Sequence, residues 1–167
     1  VRTHELEVAN TEIEAQRDYA RAQRDHIAQQ QKSIMDSIHY AQTIQNSLLP
    51  AKNHMNKLLP EHFVIFKPRD IVSGDFFWVQ ESGEKVYFTA ADCTGHGVPG
   101  AFMSMLGMSL LNEIVHRREV TQANQVLNEL RKQIRNSLRQ HGTPEESKDG
   151  IDMALCVIDE KNKVLQF

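Results

Sequence analysis

Glycine and proline are missing from the first 49 residues of this 167-residue chain, in which the first proline is Pro50. Because these two residues most often interrupt regular structure, their absence argues against turns in this stretch and favours one long helix. Cysteine is scarce as well, with Cys93 and Cys156 far apart in the sequence. Two cysteines without metal-ligand spacing argue against a disulfide framework and favour a reducing, cytoplasmic compartment.

An excess of positive charge and a long apolar run are missing too. The formal net charge is −3, and nucleic-acid-binding surfaces normally carry a basic stripe, so no nucleic-acid partner is expected. No apolar run approaches the roughly 20 residues that span a bilayer, and the N-terminus has no secretory apolar core, so no membrane insertion is expected. Because the chain begins at Val1 and stops at Phe167 inside a predicted strand, we expect it to be a piece of a longer protein.

An apolar residue recurs at every seventh position of the N-terminal stretch. The residues of this seam are Leu6, Ile13, Ala20, Ile27, Ile34, Ala41 and Leu48. The repeat predicts a coiled-coil-type helix over residues 1–49 that joins two copies of the chain. Glutamines on the other edge of the seam pair weakly, so a solvated helix or a disordered segment stays open as an alternative. Near its end the stripe broadens to include Ile44 or Gln45, which suits packing against a domain.

From residue 50 onwards the pattern changes to alternating strands and amphipathic helices, which predicts an α+β fold. Strands are predicted at 62–67, 75–80, 85–91, 151–158 and 163–167, one or two helical turns at 51–59, and helices at 98–118 and 122–140. Thr121 is predicted to cap the last of these helices. Trp78 and the phenylalanines around it are predicted to lie in the core.

Two aspartates stand at the glycine-flanked ends of predicted strands. Asp75 opens the strand that leads into the hairpin turn at 81–84, and Asp92 follows the strand that returns from it. An antiparallel hairpin brings both carboxylates to the same end of the sheet. Hard oxygen ligands select Mg²⁺ or Mn²⁺ over zinc, and two such ions can activate a water for phosphoryl hydrolysis. Aspartates beside glycine are also common in ordinary turns, so the spacing alone leaves both interpretations open.

Several other side chains near this pair are candidates for binding or catalysis. His96, in the glycine-rich turn, is a candidate general acid or phosphate contact, or else a solvent-facing histidine. Arg69 and Asp70 are candidates for contact with a substrate phosphate, or solvated loop charges. Asp152 is a possible additional acidic ligand at the start of a strand, or a turn cap. The thiol of Cys93 is the wrong ligand for a hard cation and is predicted to be buried.

Four segments of the sequence together resemble a known family. SGDFF at 73–77 and ADCTGHGVPGA at 91–101 carry the two aspartates, IQNSLLP at 44–50 precedes them, and DMAL at 152–155 follows. They are similar to the bacterial SpoIIE/RsbU-type branch of the metal-dependent (PPM, type-two-C-like) serine/threonine protein phosphatases. The resemblance covers roughly residues 40–167, and two motifs in the right order and separation are far more specific than either alone.

The resemblance implies a partial α-β-β-α sandwich over residues 50–167 that binds two Mn²⁺ or Mg²⁺ ions. It implies that Asp75 and Asp92 are the catalytic metal ligands, completed by the backbone carbonyl of Cys93. A metal-bridged hydroxide would then attack phosphoserine or phosphothreonine directly. The implied substrate is a phosphorylated regulatory protein of the anti-sigma-factor antagonist type. The implied role of residues 1–49 is a dimeric helical linker that transmits a signal from a sensor domain.

Two further metal aspartates of the family, one in a Thr-Asp-Gly-like motif, have no counterpart in the sequence up to Phe167. We therefore expect residues 50–167 to be the N-terminal part of a phosphatase domain, weakly active or inactive alone, in an active parent chain. The alternative is a non-catalytic signalling module, in which the helix dimerises and the domain only binds a partner. A nucleotide- or phosphate-binding protein is a third interpretation, but the glycine-rich turn has no lysine and no Walker-type spacing.

Overall fold

The long N-terminal helix and the sheet that follows it fall into two units in this computed structural model. The structure describes residues 2–117, 122–143, 146 and 148–167. The first unit ends at His39, and the second runs from Tyr40 to Phe167. The boundary lies inside the first helix, so the last turns of that helix belong to the second unit.

Helix α1 spans Arg2–Leu48, and its residues up to His39 make up the first unit. The helix predicted over this stretch is confirmed, and the disordered alternative is wrong for the described residues. Four seam residues in this unit are large and apolar, and in the single chain they are 46–61% exposed: Leu6, Ile13, Ile27 and Ile34. Pairing of this helix with a second copy stays a prediction.

The second unit is built on one antiparallel sheet, so the predicted α+β class is confirmed. The strands, in their order across the sheet, are β1 (Phe76–Ser82), β2 (Lys85–Cys93), β3 (Ile151–Asp159) and β4 (Val164–Gln166), and the helices are α2 (Lys52–Leu58), α3 (Gly97–His116) and α4 (Ala123–Ser137). Each strand pairs with the next one along the chain. Helices α3 and α4 lie between β2 and β3 in the sequence, so the chain leaves the sheet after β2 and returns beside it.

The main core lies between this sheet and helices α3 and α4. Its fully buried members include Tyr87, Met108, Leu111, Val126 and Leu155. Burying each such side chain contributes about 1.5–3 kcal/mol, and this core therefore fixes the sheet against the two helices. Trp78 is buried here, as predicted, and its indole Nε1 donates to Asn112 Oδ1 at 2.8 Å.

Helix α3 is the one helix in the described ranges that is long and apolar enough to cross a membrane, by length and composition only. Half of its most apolar window is buried inside the fold. It also buries Ser104, whose hydroxyl is hydrogen bonded. These features are those of the core helix of a globular domain.

The opposite face of the sheet packs on α2, where Met55 and Leu58 meet Val79 and Val86. The strand predicted at 62–67 is wrong, because residues 62–68 have no regular structure. Phe63 and Ile65 in this segment are 85% and 76% exposed. Their β-propensity reflects how well such side chains fit a pleated surface, and no strand among the described residues pairs with this segment.

The predicted ends of the two long helices differ slightly from those observed. Helix α3 ends at His116, and the predicted end at 118 lies outside the described residues. Helix α4 ends at Ser137, three residues before the predicted end at 140. Thr121, the predicted cap, also lies outside the described residues. The residue at the N-cap is Gln122, whose backbone N–H donates to Gln125 Oε1 at 3.3 Å.

Candidate metal centre

The β1–β2 hairpin brings Asp75 and Asp92 into contact, as the sequence predicts. The strands are joined by a two-residue turn at Gly83 and Glu84. Phe76 pairs with Ala91 in the resulting register, so Asp75 lies opposite Asp92 where the ladder ends. The two carboxyl groups lie close enough for a hydrogen bond with Asp92 to raise the pKa of Asp75.

This contact makes it unfavourable for both carboxyls to be ionised. Partial burial raises the pKa of Asp75 above its ordinary value, and the hydrogen bond and negative charge of Asp92 raise it further. Two carboxylates this close either share a proton or attract a cation. Their oxygens are hard donors, which fit Mn²⁺ or Mg²⁺. Among the described residues, no group of three or more His, Cys, Asp or Glu side chains is arranged to hold a metal. The aspartate pair therefore fits part of a ligand set.

Two glycines let the turn before β1 lie directly on the β2–α3 loop. A Cβ atom on Gly74 would lie 2.7 Å from the carbonyl oxygen of Gly95 and 3.2 Å from that of Cys93. A Cβ atom on Gly100 would lie 2.6 Å from the Gly95 oxygen and 3.0 Å from the Cα atom of Gly74. No side chain fits at either position, because all these atoms are backbone. The close approach holds the segment that carries Asp75 against the loop that follows Asp92.

Cys93 contributes its backbone, and not its thiol, to this junction. The side chain is 3% exposed, so the predicted burial is confirmed. Burial, together with the negative charges of Asp92 and Asp75, raises the pKa of the thiol to about 12. The thiol therefore stays protonated and is a poor metal ligand. The Cys93 carbonyl oxygen lies beside Gly74, and its role as a metal ligand stays a prediction.

His96 and Asp70, separate candidates in the sequence, are joined in the structure. The Nδ1 atom of His96 lies 3.2 Å from Oδ2 of Asp70, and both side chains are exposed. His96 is the N-cap residue of α3, four residues after Asp92. A carboxylate on Nδ1 fixes the orientation of the ring and leaves Nε2 available to a ligand. Arg69 is exposed beside Asp70, and no contact described for this part of the chain joins it to the aspartate pair.

Asp152 lies directly opposite Asp92 in the β2–β3 register, on the same face of the sheet. Asp75, immediately before β1, thus continues the row formed by Asp92 on β2 and Asp152 on β3. Asp92 and Asp152 line a cleft that also contains His96 and Lys148. A hydrogen bond joins two residues that line this cleft: the backbone N–H of Thr94 donates to the carbonyl of Gly150 at 3.0 Å.

Sequence reasoning missed two features of this cleft. Lys148 adds a cation beside the acidic row, and the bond between Asp70 and His96 joins loops 26 positions apart. Neither feature has a local sequence signal, because each depends on how loops are brought together by the sheet.

Comparisons with known proteins agree with this geometry. Residues 82–167, just over half of the chain, match the family model of stage II sporulation protein E (SpoIIE). A solved structure, the SiaA-PP2C domain of Pseudomonas aeruginosa, is 32% identical with a TM-score of 0.68. The match covers 81% of this chain and 52% of that domain, so the chain spans about half the length of its relative. No curated protein matches. The chain belongs to the SpoIIE family of PP2C-type phosphatase domains.

Proposed function

We propose that this chain supplies part of the catalytic site of a metal-dependent protein serine/threonine phosphatase. The observation that supports this most directly is the contact between Asp75 and Asp92 at the end of the β1–β2 hairpin. In a chain of the SpoIIE family, two carboxyls that resist joint ionisation form a donor pair suited to a divalent cation.

Asp75, Asp92 and the backbone carbonyl of Cys93 are the groups that would hold Mn²⁺ or Mg²⁺ in this site. Two such ions, when bound, lower the pKa of a shared water and neutralise charge on phosphoryl oxygens. Because no group of three or more His, Cys, Asp or Glu side chains among the described residues is arranged to hold a metal, we expect this chain alone to be weakly active or inactive.

The remaining polar groups of the cleft are suited to a phosphorylated side chain. His96, oriented by Asp70, presents Nε2 to solvent and can donate a proton or a hydrogen bond to a phosphate oxygen. Lys148 adds positive charge in the cleft, which favours the approach of an anionic substrate. Arg69 is exposed in the loop beside Asp70 and is a candidate contact for the phosphate. Asp152 opposes that approach unless a cation offsets its charge.

The substrate that we propose is phosphoserine or phosphothreonine on a partner-switching regulatory protein, an anti-sigma-factor antagonist by type. The resemblance of the motifs at 73–77 and 91–101 to the SpoIIE/RsbU-type branch supports this class. The proposed dimeric linker role of α1 rests on its apolar heptad positions, and the proposed cytoplasmic location rests on the low cysteine content.

The decisive test measures Mn²⁺-dependent hydrolysis of a phosphoserine protein in the longest available form of the protein. Asp75→Asn and Asp92→Asn should each lower kcat/KM at least about 100-fold, which is about 2.7 kcal/mol of activation free energy. Glu61→Gln, at an exposed acid outside the cleft, serves as the control and should change the rate less than twofold. Unchanged activity or signalling in both aspartate variants would instead favour the non-catalytic binding module.

A further inference from the structure

Gln45 is a buried polar side chain in the last turn of α1. It is 4% exposed, and like its partners Ser73 and Ser104 it belongs to the second unit. The heptad pattern leaves open whether Ile44 or Gln45 faces the domain, and the structure places Gln45 inward while Ile44 is 42% exposed. A polar residue at such a position needs hydrogen-bond partners for every buried donor and acceptor.

The side-chain amide of Gln45 pairs with the whole peptide unit of Ser73. Its Nε2 donates to the Ser73 carbonyl oxygen at 2.6 Å, and the Ser73 backbone N–H donates to its Oε1 at 3.0 Å. This two-bond pairing resembles that of two antiparallel strands and fixes both the position and the orientation of the peptide.

Ser104 of α3 completes this arrangement. Its hydroxyl accepts from Gln45 Nε2 at 2.8 Å and lies 3.0 Å from the Ser73 carbonyl oxygen, to which it can donate. The last turn of α1, the middle of α3 and the segment before β1 therefore meet at one peptide group. Ser104 is 0% exposed, so water does not substitute for these bonds.

The segment held in this way leads directly to the candidate metal centre. Asp75 follows Ser73 by two residues, and its backbone N–H donates to the Ser73 hydroxyl at 3.1 Å. Gly74 between them lies against the β2–α3 loop with no space for a side chain. The direction of the Asp75 carboxyl thus depends on how firmly the Ser73 peptide is held.

We propose that Gln45 is a positioning residue, whose amide holds the Ser73 peptide and thereby fixes the turn that presents Asp75 to Asp92. The expected effect of Gln45 on metal affinity rests on the proposed function. The effect of Gln45 on the turn does not depend on that function, because its three hydrogen bonds are all to Ser73 and Ser104. The two consequences are measured separately.

The test compares Gln45→Met, which keeps most of the side-chain volume, with Thr89→Val as a matched control. Thr89 is 5% exposed and donates a buried hydrogen bond to the Ala154 carbonyl at 2.8 Å, so the control loses a similar bond elsewhere in the sheet. Hydrogen exchange of the Ser73 amide, measured at matched global stability, should accelerate at least tenfold in Gln45→Met and less than twofold in Thr89→Val. Ser104→Ala, which keeps the Gln45–Ser73 pair, should give an intermediate rate.

Titration calorimetry with MnCl₂ supplies the second measurement. Gln45→Met should weaken Mn²⁺ binding by about 10- to 100-fold, the range for residues that orient a metal ligand, while Thr89→Val binds like the wild type. The titration uses the longest available form of the protein, because this chain supplies only part of the ligand set. If that form binds no Mn²⁺, the proposed function fails, and the exchange measurement alone decides the role of Gln45. Wild-type exchange at Ser73 in Gln45→Met, or equal exchange and affinity in both variants, would overturn the positioning role.

Discussion

At the scale of single residues, the candidate centre brings negatively charged side chains close together, which is electrostatically unfavourable. Asp75 and Asp92 are held together by strand register and by glycine contacts, although the negative charge of one disfavours ionisation of the other. Asp152 adds a third negative charge opposite Asp92. Like charges directly opposite each other destabilise a sheet, so this row has a cost in stability unless a cation is present.

Removing one of these charges should therefore stabilise the metal-free chain. Asp92→Asn keeps the size of the side chain and its ability to hydrogen bond to Asp75. At pH 7 without divalent ions, its free energy of unfolding should exceed that of the wild type by up to about 1 kcal/mol. Urea unfolding followed by circular dichroism measures the difference, and Glu61→Gln should leave the value unchanged. A less stable Asp92→Asn variant would show that the pair is structural.

Burial of Asp75, together with its hydrogen bond to Asp92 and the negative charge of Asp92, sets a pH dependence whose sign is unusual for an acid. The pKa of Asp75 is raised in the folded chain above its ordinary value of 3.8, so the folded state holds this proton more tightly than the unfolded state. The stability that this tighter proton binding contributes is fully present below pH 3.8. It is lost as the pH rises through the pKa of Asp75 in the folded state. In Asp92→Asn the loss of stability with rising pH should be smaller, because the negative charge of Asp92 no longer raises the pKa of Asp75.

The sequence predicts the contact between these aspartates well, and predicts their other neighbours poorly. The contact follows from one hairpin, in which a short turn fixes the register of both strands. The hydrogen bond between His96 and Asp70 joins residues 26 positions apart, and the hydrogen bond from Gln45 to Ser73 joins residues 28 positions apart. Such contacts depend on the packing of whole elements, which no local pattern specifies.

At the scale of elements, the approach of the Gly74 turn to the β2–α3 loop decides whether the two aspartates meet. Gly100 lies in the first turn of α3, where a Cβ atom would contact backbone atoms of Gly95 and Gly74. Gly107 lies further along the same helix, where a Cβ atom would meet only the ends of the Ile151 and Phe76 side chains. The two positions therefore separate an effect on the centre from an effect on helix packing.

Gly100→Ala should force the turn and the loop apart, because neither backbone has a side chain that can move aside. We expect a loss of about 1–3 kcal/mol in stability and at least a tenfold weaker affinity for Mn²⁺. Gly107→Ala is the matched control, and it should also lose stability but keep the wild-type affinity. Calorimetric Mn²⁺ titration of both variants tests this, and wild-type affinity in Gly100→Ala would contradict the role of the close approach.

Elements themselves were predicted well wherever the pattern was long and its burial one-sided. The strands of the β1–β2 hairpin and β3 lie within two residues of their predicted bounds. The strand predicted at 62–67 is wrong, although its residue types favour a strand. A strand also needs a partner strand, and Pro60 and Pro68 flank this segment. The local propensity for a strand is present there, but no strand among the described residues pairs with the segment.

At the scale of the whole molecule, the first unit is an exposed helix with an apolar stripe, which is suited to pairing with a second copy of the chain. The stripe holds large side chains such as Ile13 and Ile27, which are 46% and 50% exposed in the single chain. An exposed helix with an apolar residue at every seventh position gains stability by burying that seam against another helix. The glutamines on its second edge limit the gain, so we expect a weak and concentration-dependent dimer.

Charges placed in the seam should therefore dissociate the dimer without affecting the sheet. Sedimentation equilibrium of the wild-type chain should give a mass that rises towards two chains with concentration, whereas Ile13→Asp combined with Ile27→Asp should stay monomeric. Ala15→Asp combined with Gln29→Asp adds the same charge outside the seam, two positions further along each heptad, and should dimerise like the wild type. Circular dichroism should show the same folded sheet in all three proteins. A wild-type chain that stays monomeric at the highest concentration, or a control that dissociates like the seam variant, would contradict pairing through this seam.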